Sequence, residues 1–223
     1  MKKILLVVVI IIFITLLLPL AIVWLIGSDG EGQSPIESGT VSVYVSEEDC
    51  VKDMDINEYL KCVVAAEMPA DFEEEALKAQ AVAARTYLYS HIAEKEKGNI
   101  AESHNGAAIC TDSTHCQAYI SEDKRRESWG AGADENWNKI STAVDETTGQ
   151  IMTYNDEIIS AVFHSTSSGM TESAVDVWGA DVPYLQSVAS TGDEESPKYH
   201  SELTLSEQEF KNIAEEKIDG VDW

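Results

Sequence analysis

Positive charge is scarce in this 223-residue chain: 15 Lys and Arg stand against 40 Asp and Glu, a formal net charge of −25. So negative a body repels nucleic acid and anionic membrane surfaces, and neither is expected as a partner. The charge itself asks for nothing more than solubility. Internal repeats and low-complexity blocks are missing as well, which removes solenoids and compositionally biased arrays. No G-x-S-x-G elbow occurs, so the usual signature of a serine hydrolase is absent. Cysteine is limited to Cys50, Cys62, Cys110 and Cys116.

Charge is missing altogether from residues 4–26, an apolar run long enough to cross a hydrocarbon core of roughly 30 Å. Pro19 would kink such a helix, which lipid-embedded helices tolerate. Lys2 and Lys3 precede the run and the first acid, Asp29, follows it, so the N-terminus is expected in the cytoplasm and everything beyond Gly27 outside. A cleaved signal peptide is the competing reading. The run exceeds the h-region of about 7–15 residues, and no A-x-A site follows it. Residues 28–40, rich in Gly, Ser and Glu, read as a flexible tether, and 41–223 as one domain with room for a core.

Within that domain, residues 40–46 alternate with period two and predict a strand. A short helix is expected over 57–66, ending before Met68-Pro69 because proline disfavours helix in the preceding residue. A longer helix follows, with Asp71 and Glu74 as a capping box and Gly98-Asn99 as its stop. Leu77, Ala81, Ala84 and Leu88 form its apolar stripe, and Lys78 and Arg85 share another face. Strands over 151–154 and 158–163 flank Asn155-Asp156, a hairpin signal, and Ser206 with Glu209 opens a last helix. The class is α+β, with mixed helices and antiparallel strands.

Three groups of residues could carry chemistry. Glu67 closes an apolar run at a helix C-terminus, where desolvation and the helix dipole disfavour the charged carboxylate and suit it to act as a general acid. A plain surface glutamate at a helix end is the alternative. His104, Cys110, His115 and Cys116 offer four ligands of the kind tetrahedral zinc takes, against a Cys110–Cys116 disulfide or simple packing. The stretch Phe163-His-Ser-Thr-Ser-Ser-Gly169 sets His164, Ser165 and Ser167 at a strand end and reads as groove lining. Cys50 and Cys62 are open to packing or to a disulfide.

The runs Val64-Ala-Ala-Glu-Met-Pro-Ala70 and Glu75-Ala-Leu-Lys-Ala-Gln-Ala-Val-Ala-Ala-Arg-Thr-Tyr87 resemble the core signature of the stage II sporulation protein D family. Thr114-His-Cys-Gln-Ala-Tyr119, Thr148-Gly149, Thr153-Tyr-Asn155, the 163–169 stretch, Val177-Trp-Gly179 and Pro183-Tyr-Leu185 agree with it in order, over about 41–199. The resemblance implies a membrane-anchored lytic transglycosylase acting on denuded peptidoglycan glycan strands during engulfment in endospore formation. Its partners would be a sporulation amidase and other membrane-bound engulfment proteins. It implies Glu67 as the catalytic acid, and Lys78, Arg85, His164, Ser165 and Ser167 at the substrate. It also implies a structural zinc on His104, Cys110, His115 and Cys116, and no organic cofactor. A zinc-dependent wall amidase and a non-catalytic wall-binding scaffold are the alternatives. Family members are expected to continue past position 223 with further strands.

Overall fold

The computed structural model describes residues 39–196 and 199–217. The membrane segment expected over 4–26 and nearly all of the tether lie outside the described residues. Among the described residues, no helix is long and apolar enough to cross a membrane. The chain divides between Val162 and Phe163 into two units, where the composition alone suggests one domain from 41 onward.

The first unit begins with β1 (Thr40–Val45), whose alternation buries Val41, Val43 and Val45. It pairs antiparallel with β2 (Cys50–Asp55), in a register running from Thr40 opposite Asp55 to Val45 opposite Cys50. Its other edge pairs in parallel with β3 (Ile109–Cys110), so β1 is the central strand. Asp55 caps α1 (Ile56–Glu67) by accepting the amides of Asn57 and Glu58 at 2.9 and 3.1 Å. Met68 is extended, as the residue before a proline should be, and the helix stops there.

The long helix α2 (Glu74–Glu96) buries Leu77, Ala81, Ala84 and Leu88 completely, as their spacing predicts. Its start differs from the expected capping box. The N-cap is Glu73, which makes no side-chain cap bond, because Phe72 N–H bonds Pro69 O at 3.2 Å and that turn leaves Asp71 outside the helix. At the other end Gly98, with φ of 86°, donates to Lys95 O and Asn99 donates to Glu94 O, both at 2.9 Å, a Schellman closure.

Two further helices, α3 (Glu122–Trp129) and α4 (Ala133–Glu146), occupy a stretch for which no element is drawn from the sequence. Trp137, Ile140, Ala143 and Val144 of α4 enter the same core as α1 and α2. The hairpin forms around Asn155 and Asp156, both left-handed at φ of 51° and 64°, but its strands are only β4 (Thr153–Tyr154) and β5 (Glu157–Ile158). They are shorter than expected: Met152 O still accepts the Ile159 N–H at 3.3 Å, but Met152 N–H goes to Thr86 Oγ1 of α2 at 3.0 Å.

The second unit holds α5 (Ala174–Trp178), capped by Ser173, and α6 (Glu207–Lys217). Ser206 and Glu209 make the reciprocal capping box read from the sequence: Ser206 N–H bonds Glu209 Oε2 at 2.8 Å and Glu209 N–H bonds Ser206 Oγ at 3.3 Å. The first unit mixes helices with strands, antiparallel apart from the parallel β1–β3 pair, and the second shows helices and one isolated antiparallel bridge, Met170 with Ala189.

The Schellman closure gives a clean test. A Cβ at position 98 would meet nothing within 4 Å. Gly98→Ala should therefore lose only the left-handed backbone preference, about 1 kcal/mol in urea unfolding. A loss several times larger would mean that the glycine does more than end the helix.

Candidate active site and metal centre

Glu67 is the last residue of α1, partly buried, with Val63, Val64 and Ala65 fully buried behind it. Its Oε1 accepts the backbone N–H of Ala118 at 2.7 Å. That donor fixes the direction of the carboxylate, and nothing in the sequence pattern announces it, since a main-chain amide leaves no residue signature. Met68, Pro69 and Phe72 continue from Glu67, and Phe72 is 48% exposed.

Ala118 lies two residues beyond Cys116, the end of a four-residue cluster. The side-chain donors of His104, Cys110, His115 and Cys116 all fall within 4.8 Å of one another. His104 Nε2 stands 3.1 Å from His115 Nδ1 and 3.2 Å from Cys116 Sγ. His115 Nδ1 stands 3.4 Å from Cys116 Sγ and 3.6 Å from Cys110 Sγ. The edges of a tetrahedron around a zinc-sized ion are roughly 3.3–3.8 Å, so type and spacing of the donors fit a bound metal.

Each donor has a structural reason to be there. β3 delivers Cys110 beside Tyr44 of β1, and a short 3-10 turn (Glu102–His104) presents His104, which is 3% exposed. Asp112 accepts the amides of His115 and Cys116 at 3.1 and 2.7 Å, closing the loop that carries both. Outer groups complete the set: Ser103 Oγ lies 3.1 Å from His115 Nε2, and Tyr87 hydrogen-bonds Cys116. Burial and the neighbouring His115 and His91 lower the pKa of His104, favouring the neutral ring that a metal needs. Burial pushes the Cys116 thiol up to about 12 in the metal-free protein. All four cysteines are free thiols, and burial pushes Cys62 up to about 11.

Lys78 and Arg85 do share a side of α2, and both meet the end of α4. Lys78 is held by Glu146 at 2.7 Å, Glu74 at 2.8 Å and Glu75 at 3.0 Å. These hydrogen bonds, Glu146 first, raise its pKa. It lines a pocket of about 410 Å³ with Glu75, Val82, Glu146 and Gln150, and Glu67 is not part of that lining.

Arg85 is placed differently from a groove residue, at 1% exposure. Its guanidinium donates to Thr147 O at 2.6 Å, Val144 O at 3.0 Å, Thr147 Oγ1 at 3.2 Å and Asn57 Oδ1 at 3.4 Å. Burial lowers its pKa. The residue closes the C-terminus of α4 from inside the core.

His164 and Ser165 lie exposed in the second unit. Ser167 is engaged by Asp193, whose Oδ2 accepts its hydroxyl at 2.5 Å and its amide at 2.9 Å. These bonds, with one from Ser190, hold the Asp193 carboxyl below the usual range. Asp193 is a partner that the 163–169 stretch does not foretell.

Comparison with known proteins gives a consistent answer. Residues 44–154 match the model of the stage II sporulation protein family SpoIID. The chain is 38% identical over 194 residues to stage II sporulation protein D of Bacillus subtilis, covering 87% of this chain and 54% of that protein. With the same protein of Bacillus amyloliquefaciens the identity is 38% over 190 residues, 85% of this chain and 53% of the relative. A Bacillus subtilis protein called amidase enhancer is 36% identical over 151 residues, 68% of this chain and 17% of that protein. The chain thus spans about half the length of the sporulation proteins it matches.

Removing the Arg85 guanidinium would take a charged donor from two carbonyls, leaving Thr147 O with the Gln150 N–H at 3.0 Å and Val144 O with the Thr147 hydroxyl at 3.1 Å, and would empty a buried polar site. Arg85→Met should destabilise the protein by about 3 kcal/mol in urea unfolding. A variant of parental stability that has lost only function would contradict this placement.

Proposed function

The chain belongs to the stage II sporulation protein D family, and on that footing we propose that it is a lytic transglycosylase of the cell wall, cutting glycan strands already stripped of stem peptides. The observation that carries this reading is the Glu67 carboxylate, set at the end of α1 and aimed by the Ala118 N–H. Lytic cleavage needs one carboxyl group, whereas ordinary glycosidases need two. Glu67 donates its proton to the glycosidic oxygen as the bond to the muramyl anomeric carbon breaks. The muramyl C6 hydroxyl oxygen then bonds that carbon, and its proton returns to the Glu67 carboxylate. No water is consumed, and the product ends in a 1,6-anhydro ring.

In this reading the His104, Cys110, His115 and Cys116 set holds zinc. Four protein ligands leave no open position, so the ion supplies loop structure rather than an activated water. Cysteine-rich ligation speaks against a zinc amidase for the same reason. The apolar segment over 4–26 serves as an anchor with a cytoplasmic N-terminus. A tether of about a dozen residues reaches at most roughly 40 Å, which confines cutting to wall near the membrane. A sporulation amidase that strips the strands is the expected partner, with other membrane-bound engulfment proteins.

The likeness to the amidase enhancer favours a second reading, a non-catalytic module that assists a wall amidase. One experiment separates the two. The full chain, solubilised in detergent, is incubated with purified denuded glycan and the products are weighed by mass spectrometry. Anhydro-muramyl ends are expected, falling by about 100-fold or more in Glu67→Gln. Reducing ends sink the lytic mechanism, and full activity in Glu67→Gln sinks the assignment of the acid. Strands bound but left intact by the parent support the second reading.

For the metal, elemental analysis should find about one zinc per chain, lost in Cys110→Ser. A Cys110–Cys116 disulfide and no zinc, in protein purified without reductant, would refute the site.

A further inference from the structure

Stripping a stem peptide from a muramyl residue leaves the lactyl carboxylate free, so denuded glycan is a polyanion. A body with a net charge of −25 repels such a strand unless a cation stands uncompensated where the strand must lie. Lys52, Lys61, Lys78, Lys97, Lys124 and Arg126 are each neutralised by one or more carboxylates. Arg85 is buried, and two other cations without an ion pair among the described residues are engaged elsewhere, Lys95 donating to Ser42 Oγ at 2.7 Å and Arg125 lying over the Trp129 ring. Lys139, on α4, likewise forms no ion pair among the described residues, and it is tied to the turn that follows Glu67: its Nζ donates to the main-chain oxygen of Phe72 at 2.5 Å. The nearby Glu74 carboxylate is held by Lys78 at 2.8 Å.

Lys139 is only partly buried, and one acceptor leaves two of its three ammonium protons for others. Its partner Phe72 sits five residues after Glu67, in a turn closed by its own N–H on Pro69 O. That turn keeps the Cα atoms of Glu67 and Phe72 within about 14 Å, a reach of a few sugar rings. The Phe72 side chain is 48% exposed, an apolar group on the residue whose main-chain oxygen takes the Lys139 ammonium. A pyranose edge needs such a group, and a muramyl carboxylate needs such a charge.

We infer that Lys139 reads the free lactyl carboxylate of a denuded muramyl residue while the Phe72 ring supports the sugar beside it, so that this pair selects stripped strands over peptide-bearing ones. The inference takes its substrate from the transglycosylase reading. It goes beyond that reading in naming the group recognised and the residue that recognises it.

The test compares denuded strands with the same strands after conversion of their lactyl carboxylates to methylamides. The detergent-solubilised full chain should show a kcat/KM about tenfold higher on the free carboxylates, with the difference in KM and shrinking as salt rises. Lys139→Met should reduce that ratio to about one, and Lys139→Arg should keep most of it. A turn that merely needs its carbonyl capped would lower both substrates alike, so equal losses, or an unchanged ratio in Lys139→Met, overturn the inference.

Binding of both strands to Glu67→Gln protein separates this failure from failure of the parent reading. If the parent never cuts, yet Glu67→Gln prefers free carboxylates in a Lys139-dependent way, the recognition stands and the transglycosylase falls. Cutting without any carboxylate preference overturns the recognition and leaves the transglycosylase in place.

Discussion

A guanidinium taken out of water must find partners for its N–H groups, and Arg85 finds them across three helices. It leaves α2, enters the core, and binds the last carbonyls of α4 together with Asn57 at the start of α1. Asn57 in turn bonds Thr148 Oγ1 at 3.0 Å. The C-terminal carbonyls of α4 keep the Gln150 N–H and the Thr147 hydroxyl as further donors, but the buried charge has no water to replace them, so the guanidinium depends on the carbonyls more than they depend on it. α1 is thereby fixed at its N-terminus, its flank packs on α2 and α4, and the only freedom left to Glu67 is that of its own side chain.

That remaining freedom is taken up from the opposite direction. Parallel pairing with the central strand fixes Cys110, and the loop from there to Cys116 turns back on Asp112. Two residues later Ala118 meets Glu67, and Ile120 N–H reaches Cys62 O on α1 at 3.4 Å. The carboxylate therefore sits where two independently anchored pieces converge: a helix locked by a buried cation, and a loop whose ends are tied by backbone bonds and by a cluster of soft donors. Arrangements of this kind hold a side chain in one direction without strain.

How much of this is legible in the sequence follows from which forces leave a pattern. Leu77, Ala81, Ala84 and Leu88 recur at helical spacing, and the burial of all four follows from that period. The four metal-type donors declare themselves by residue type within a short span. β2 does not: Cys-Val-Lys-Asp-Met-Asp is charged and largely exposed, and it is a strand only because β1 offers it an edge. α4 carries a readable stripe at Trp137, Ile140, Ala143 and Val144, but it is preceded by the polar α3 and by glycines that mask where it begins. Arg85 misleads for a plain reason. A cation in a signature helix looks like a ligand for substrate, and only the fold reveals that its ligands are the protein's own carbonyls.

The same division bears on what kinship means here. In the signature runs the side chains of Val64, Leu77, Ala81, Ala84, Arg85 and Thr86 are enclosed, and their constraint is the shape and polarity of one core. Glu67 and Lys78 from the same runs, and Phe72 between them, reach the surface and are free of that constraint. Proteins that share the enclosed half share the fold, whatever the exposed half has become. A sporulation protein and an amidase enhancer can then both resemble this chain at similar identity without contradiction. Around Glu67 the exposed positions carry one carboxylate at the end of α1 and one aromatic ring on the turn that follows, and the main-chain oxygen of that turn takes the Lys139 ammonium of α4.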